Sequence, residues 1–368
     1  MDKKRKSIII TVIMAVLLLV LSGWCILKPA DEFSDSERRV LAQKPEMTAE
    51  SIFSTSFMTG FEEYAMDQFP ARESFRKLKA FNEFNVFNKK DNNGIYKAEG
   101  HLSKIEYPLQ YDMLEYAAGK FKYLYDTYMM GKENTVYLSV IPDKNMYLAE
   151  PNGFISLDYN ELIEYFTEEM DYAKYIDITD TLSLDDYYKT DTHWKQECLV
   201  DTAKVLGEGM DADVHSDYDI CTLEEPFCGV YTGQYTLPVE PDVISYLTNE
   251  TLEKCKVTIY DSGMPEESFV YDMEKAHSKD PYEMFLSGTV ALMTLENPYG
   301  PQDKELIVFR DSFGSSLVPL LAEGYGKITL VDIRYIQSGM LGSFIEFEDQ
   351  DVLFLYSTSL LNYSMALK

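Results

Sequence analysis

Apolar positions along the chain fall into three patterns, and each predicts a different kind of element. From Ile8 to about Leu27 they are nearly continuous, roughly the ~20 residues that a bilayer-spanning helix needs. Lys3, Lys4, Arg5 and Lys6 stand before this run and Asp31 and Glu32 after it. That bias predicts the N-terminus inside a cell membrane and everything after the run outside it. A cleaved signal peptide competes with this single-pass anchor (residues 1–28), but the run is long and lacks a small-x-small processing site. Trp24, directly before Cys25, is too bulky for lipoprotein processing.

Residues 29–92 carry the second pattern. Ile52, Phe53, Phe57, Phe61, Tyr64 and Phe69 recur mostly at intervals of three and four, a helical period. Thr48 offers a cap, and Pro70 interrupts the run because it disfavours helix at the residue before it. A helical, membrane-proximal stalk is expected.

After the Asn92-Asn93-Gly94 turn the third pattern begins, an alternation of apolar strands with amphipathic helices over 93–368. Pro108 to Met130 reads as one helix, and Asn160 to Tyr172 as another. Thr135–Ile141 is near-continuously apolar, as a strand buried on both faces should be, and a short strand covers Tyr175–Ile178. Further strands are expected at Leu306–Phe309, Ile328–Val331 and Val352–Leu355, with helices at Ser315–Ala322 and within 335–347. Between about 211 and 303, Gly and Pro punctuate short β-like runs, among them Lys256–Tyr260 and Thr289–Met293. That stretch reads as an antiparallel insertion, a lid or substrate wall. The fold class is therefore α/β, a mostly parallel sheet flanked by helices, with a transmembrane helix, a helical stalk and a β-rich insertion.

Composition narrows the function. Asp and Glu number 62 against 33 Lys and Arg, for a formal charge of -29. A field of that sign repels nucleic acid and anionic lipid, so no nucleic-acid partner is expected. Cys198, Cys221, Cys228 and Cys255 lie beyond the membrane run, where one or two disulfides or free buried thiols are equally open. No CxxC pair marks a zinc site, and nothing calls for a cofactor.

Two short stretches carry candidate chemistry. Asp191-Thr192-His193-Trp194 places an acid two residues before a histidine and directly before a helix. In an extended segment both side chains share one face, so the carboxylate holds one ring nitrogen and leaves the other free. The other histidines, His101, His215 and His277, read as solvated loop residues. In Arg310-Asp311-Ser312-Phe313, Ser312 follows an apolar strand and opens a helix, at the carboxyl end of the sheet where open α/β folds bind ligands. The N–H groups of Ser312 and Phe313 are placed to stabilise an oxyanion. From the local residues alone Asp311-Ser312 reads rather as a helix cap, and Trp194 as a core aromatic.

These motifs, in this order, resemble the DHHW proteins, bacterial relatives of the alginate O-acetyltransferases within the SGNH hydrolase-like group. The resemblance rests on Asp191-Thr192-His193-Trp194, with Thr192 where the family name has its first His. It extends to Glu37-Arg38-Arg39-Val40-Leu41-Ala42, Asp67-Gln68-Phe69-Pro70-Ala71-Arg72, Asn93-Gly94-Ile95-Tyr96, Pro142-Asp143-Lys144, Arg310-Asp311-Ser312-Phe313-Gly314 and Val331-Asp332-Ile333-Arg334-Tyr335. It implies an SGNH-like fold with Ser312 as nucleophile, His193 as base and Asp191 as orienting acid. It further implies an O-acyltransferase or acetyl-esterase acting on a cell-surface polysaccharide or wall polymer, with a polytopic membrane acyltransferase as acyl donor. Gly94 and Asn362 are candidates for the family's oxyanion-hole Gly and Asn. Two other readings stand beside it: a non-catalytic carbohydrate-binding or assembly protein of the cell envelope, for which 28 Tyr and 20 Phe supply stacking surfaces, and a metal-dependent hydrolase using Asp191, His193 and Asp311.

Overall fold

The computed structural model describes residues 3–34, 36–214, 217–261 and 263–368, so His215 and the first two positions of the expected anchor lie outside the described residues. The chain divides into two compact units, residues 1–93 with 232–238 and residues 94–231 with 239–368.

In the first unit α1 (Lys3–Leu27) is one uninterrupted apolar helix, about 37 Å long at 1.5 Å per residue, against a hydrocarbon core of ~30 Å. Three shorter helices follow, α2 (Ala49–Phe53), α3 (Ser56–Asp67) and α4 (Arg72–Asn85). Thr48 and Ser51 close a capping box on α2. At the break around Pro70, Ala71 takes a left-handed conformation (φ 54°) and turns the chain into α4. Two of the sequence motifs bind each other here. Arg39 grips Asp67 through both guanidinium nitrogens, Arg72 reaches Glu37 at 2.5 Å, and the Asp67 carboxylate also accepts the Ala42 N–H.

The second unit is built on an eight-stranded sheet. In chain order its first elements are a hairpin, β1 (Ile95–Ala98) and β2 (His101–Lys104), then α5 (Tyr111–Leu124), β3 (Thr135–Ile141), α6 (Tyr159–Glu169), β4 (Lys174–Tyr175) and α7 (Val200–Gly209). The middle of the chain adds β5 (Asp219–Phe227), β6 (Asp242–Thr248), β7 (Lys256–Ile259), β8 (Glu266–Ser268) and β9 (Leu292–Glu296). Last come β10 (Glu305–Arg310), α8 (Gly314–Leu317), β11 (Lys327–Val331), β12 (Asp351–Ser357) and α9 (Thr358–Asn362). The sheet runs β8-β7-β9-β11-β10-β12-β3-β4. It is parallel from β11 to β4 and antiparallel from β8 through β9 to β11.

Side-chain alternation explains the layering. In β10, Leu306 and Val308 enter one core cluster while Ile307 and Phe309 enter the other; in β12, Leu353 and Leu355 oppose Val352, Phe354 and Tyr356. One face is covered by α7 and Trp194, the other by α5 and α6. Every core strand is thus buried on both faces, which is why it reads as a continuous apolar run.

Several expectations are corrected. The 211–303 stretch is not wholly a separate lid or wall. Its β5 and β6 pair in a two-stranded ribbon, but β7, β8 and β9 extend the main sheet, because Leu292, Met293 and Leu295 are buried within it. The strand expected at Thr289–Met293 begins at Leu292, since the Asp261 carboxylate takes the N–H groups of Ala291 and Leu292. The helix expected over Ser315–Ala322 is one α-turn followed by 3-10 turns, as Pro319 has no N–H to continue the ladder. Within 335–347 only a 3-10 stretch, Ser338–Ser343, forms, around Gly339 and Gly342. His101 is buried in β2 rather than solvated, and burial pulls its pKa down to about 4.

Candidate active site

A tight loop carries the Asp-x-His pair. Tyr187 bridges Trp194 across it, and the Tyr188 N–H donates to the His193 carbonyl. Loop backbone this deeply buried needs partners for its polar groups, and two charged side chains supply them. The Lys144 ammonium, buried at the end of β3, donates to the carbonyls of Tyr188 (2.8 Å) and Asp191 (2.6 Å), with Lys189 farther off at 3.4 Å. The Asp242 carboxylate, at the start of β6, accepts the N–H groups of Lys189 and Thr190 and the Thr190 hydroxyl. Gly229 lies against the loop so closely that a Cβ there would stand 2.4 Å from the Asp191 backbone, which excludes any larger residue.

Ser312 follows β10 directly. The flanking acid is structural: Asp311 accepts the Phe313 N–H on one oxygen and the Ser357 N–H and hydroxyl on the other, tying the end of β10 to the end of β12. Arg310 is buried and donates to Ser315 Oγ at 3.0 Å.

The structure brings Asp191, His193 and Ser312 together. His193 Nδ1 lies 2.6 Å from Asp191 Oδ1, and its Nε2 lies 2.9 Å from Ser312 Oγ, across 119 residues of sequence. Asp191 also accepts the His193 N–H and, on its second oxygen, the Val230 N–H. Burial alone would push this carboxyl up. The hydrogen bond and charge of His193, with the Val230 and His193 N–H groups, outweigh burial and hold its pKa well below the usual carboxylate range. An ionised Asp191 can only accept, so Nδ1 carries the proton and Nε2 faces the serine hydroxyl as acceptor.

Trp194 is a core residue, and it is also a brace. Its indole nitrogen donates to the Phe313 carbonyl and to Ser316 Oγ, while the buried Gln196 amide donates to the Ser316 carbonyl. The histidine loop and the serine turn are therefore bolted to each other. Tyr282 lies flat on the His193 ring, with centroids 3.9 Å apart and planes 11° apart, and its hydroxyl meets Ser316 Oγ at 2.9 Å.

Three sequence readings change. The Phe313 N–H is engaged by Asp311, whereas the Ser312 N–H has no acceptor among the described residues. The Asn362 amide is engaged by Gln110 and Pro108 before α5. The metal reading fails at Asp311, whose two oxygens are turned to β12 and Phe313. Among the described residues no three His, Cys, Asp or Glu side chains gather as a metal site. Sequence reasoning missed Asp242, Gly229 and Tyr282, which lie in the weakly patterned middle of the chain, and saw Lys144 only as part of a motif.

The chain matches no protein-family model and no curated protein. Solved structures do resemble it. A DHHW family protein from Eubacterium siraeum DSM 15702 is 19% identical, over 74% of this chain and 93% of that one, with a TM-score of 0.59. Bacillus cereus PatB1 is 17% identical over 73% and 96%, with a TM-score of 0.57. The same protein with a sulfonyl adduct gives 0.55 at 17% identity, over 73% and 97%. At such identities the likeness is one of fold, and the chain has the fold of a DHHW family protein.

Proposed function

We propose that the protein is a membrane-anchored O-acyltransferase, or an acetyl-esterase, that acts outside the membrane on a cell-surface polysaccharide or wall polymer. The observation that carries this reading is the continuous hydrogen-bonded line from Asp191 through His193 to Ser312 Oγ. A serine hydroxyl becomes a useful nucleophile when a base held in one tautomer can take its proton. As Ser312 Oγ attacks an ester carbonyl, its proton moves to His193 Nε2. Collapse of the tetrahedral intermediate breaks the acyl C–O bond, and His193 returns the proton to the departing alkoxide. The acyl-Ser312 ester is then attacked by a sugar hydroxyl in transfer, or by water in hydrolysis, with His193 again as base. The Ser312 N–H is the backbone donor for the oxyanion. The basic residues before α1 favour an N-terminus inside and the second unit outside. The DHHW resemblance supports a polysaccharide acceptor and a polytopic membrane acyltransferase as acyl donor.

The test uses the chemistry seen as an adduct on PatB1. With an aryl or alkyl sulfonyl fluoride, the intact mass of the full chain is expected to rise by one sulfonyl group with loss of HF, and that of Ser312→Ala to stay unchanged. Equal labelling of the two proteins, or none of the wild type, would sink the assignment and leave the non-catalytic carbohydrate-binding reading standing.

Tyr282 has a separable role in this scheme. Its ring holds the imidazole plane, and an aromatic pair of this kind is worth about 1 kcal/mol, or roughly a factor of five. Tyr282→Phe is expected to keep kcat within about two-fold, and Tyr282→Ala to lower it about five-fold with a smaller change in KM. Equal losses in both variants would show that the hydroxyl, not the stack, matters.

A further inference from the structure

Helices α2, α3 and α4 carry many large apolar side chains and bury almost none of them. In α2 and α3 no residue is buried, and in α4 only Ala80 is. Phe75, Leu78 and Phe81 form one stripe on α4 at intervals of three, and each stays about half exposed (48%, 53% and 51%). Phe53 on α2 is 89% exposed, and Phe61 and Met66 on α3 are exposed as well. Single exposed apolar residues are ordinary, but a continuous run of them marks a surface that something else covers. Short helices draw most of their stability from such cover.

We propose that this surface lies in the outer headgroup layer of the bilayer that α1 crosses, and that its occupant is anionic phospholipid. The proposal concerns a surface apart from the triad, and it rests on α1 being retained as an anchor.

The first support is a tether. The Asp31 N–H donates to Gln68 Oε1, and the Asp31 carbonyl accepts from Gln68 Nε2, both at 2.8 Å. Asp31 lies four residues beyond Leu27, the last residue of α1, and four extended residues span at most ~14 Å. Gln68 is the junction of α3 and α4, so the α3–α4 corner is held within that distance of the end of the membrane helix. The tether therefore keeps the adjoining ends of both helices close to the lipid headgroups.

The second support is charge. The chain as a whole is strongly acidic, yet residues 72–90 hold Arg72, Arg76, Lys77, Lys79, Lys89 and Lys90 against Glu73 and Glu83 only. Arg72 and Arg76 pair with Glu37, and Lys89 pairs with Glu83. Lys77 and Lys79 stand at the margins of the Phe75–Leu78–Phe81 stripe, one on each side by the 100° helical step, and the Lys79 ammonium donates to the neutral Asn93 Oδ1 rather than to a carboxylate. An apolar stripe with cations at both margins is the pattern of a helix lying in a membrane interface, with its rings among the acyl chains and its ammonium groups at the phosphates.

The experiment uses the full chain in vesicles of phosphatidylglycerol and phosphatidylcholine, with Phe81→Trp and Leu78→Trp as two independent reporters. Each is read against the unsubstituted protein, in which Trp24 and Trp194 set the background. The added tryptophan is expected to emit at short wavelength, to resist acrylamide, and to lose at least half its emission to lipid brominated near the headgroup. Lys77→Glu combined with Lys79→Glu is expected to lower that quenching at least two-fold. Emission at long wavelength, open to acrylamide and indifferent to brominated lipid, would overturn the proposal. Protection from both quenchers would also overturn it, in favour of a protein or second-copy cover. Failure of the chain to float with the vesicles would remove the anchor and the proposal together, whereas a floating chain with an unquenched reporter removes only the proposal.

Discussion

Ser312→Ala and His193→Ala are each expected to lower acyl turnover by about 10⁵- to 10⁶-fold, and the double variant to lower it no further. The reason is the hydrogen-bonded line itself. Without His193 the serine hydroxyl keeps its proton, and without Ser312 the imidazole has no nucleophile to activate, so either loss disables the same step. The check is kcat for an activated acetyl ester on the three proteins, and losses that multiply would show two independent groups. Asp191→Asn is expected to cost about 10⁴-fold, since an amide can present its NH₂ to Nδ1 and turn the ring to the wrong tautomer. The hydrogen bond and charge of His193 outweigh burial and hold the Asp191 carboxyl well below the usual range, so Asp191 is expected to stay ionised where the wild type is assayed near neutral pH.

Lys144→Met should lower stability by about 2–6 kcal/mol, because the carbonyls of Tyr188 and Asp191 would remain buried without their donor, at about 1–3 kcal/mol each. Burial pulls Lys144 down to about 7, against ~10.4 in an unfolded chain. Between those values the unfolded chain binds a proton that the native chain does not, so wild-type stability rises with pH from about 7 to about 10. A neutral amine still has N–H groups for its two shorter bonds. The methionine variant lacks this slope. Thermal melts at pH 6.5 and 9 are expected to show the variant below the wild type at both, with the gap wider at pH 9. A gap that narrows with pH would contradict the assignment.

How much of this was legible depended on where the information lay. Thr135–Ile141 could be read to the residue because a strand buried on both faces writes its burial directly into the sequence. Asp191 and His193 were legible as a pair because two residues of extended chain suffice to join their side chains. Ser312 was legible as a strand-end residue, and its meeting with His193 rests on the sheet bringing distant segments together. Lys144 was not legible as a brace, because its partners are backbone carbonyls, which leave no trace in residue identity. Tyr282 and Asp242 stood in the 211–303 stretch, where short runs and loops give no period. The place of β9 in the main sheet depends on pairing with β11, a long-range contact that local pattern does not encode.

The position of β12 has a consequence for how the chain can be made. This strand, residues 351–357, lies between β10 and β3 and is the last of the sheet in sequence. A nascent chain that ends before it leaves β3 and β10 a strand's width apart, each with an unsatisfied edge at the centre of the future sheet. Its pairing with β3 joins segments more than two hundred residues apart, so folding of this unit is non-local and late. Until β12 is in place Asp311 has no Ser357 to hold, so the turn that carries Ser312 gains this anchor only when the sheet closes.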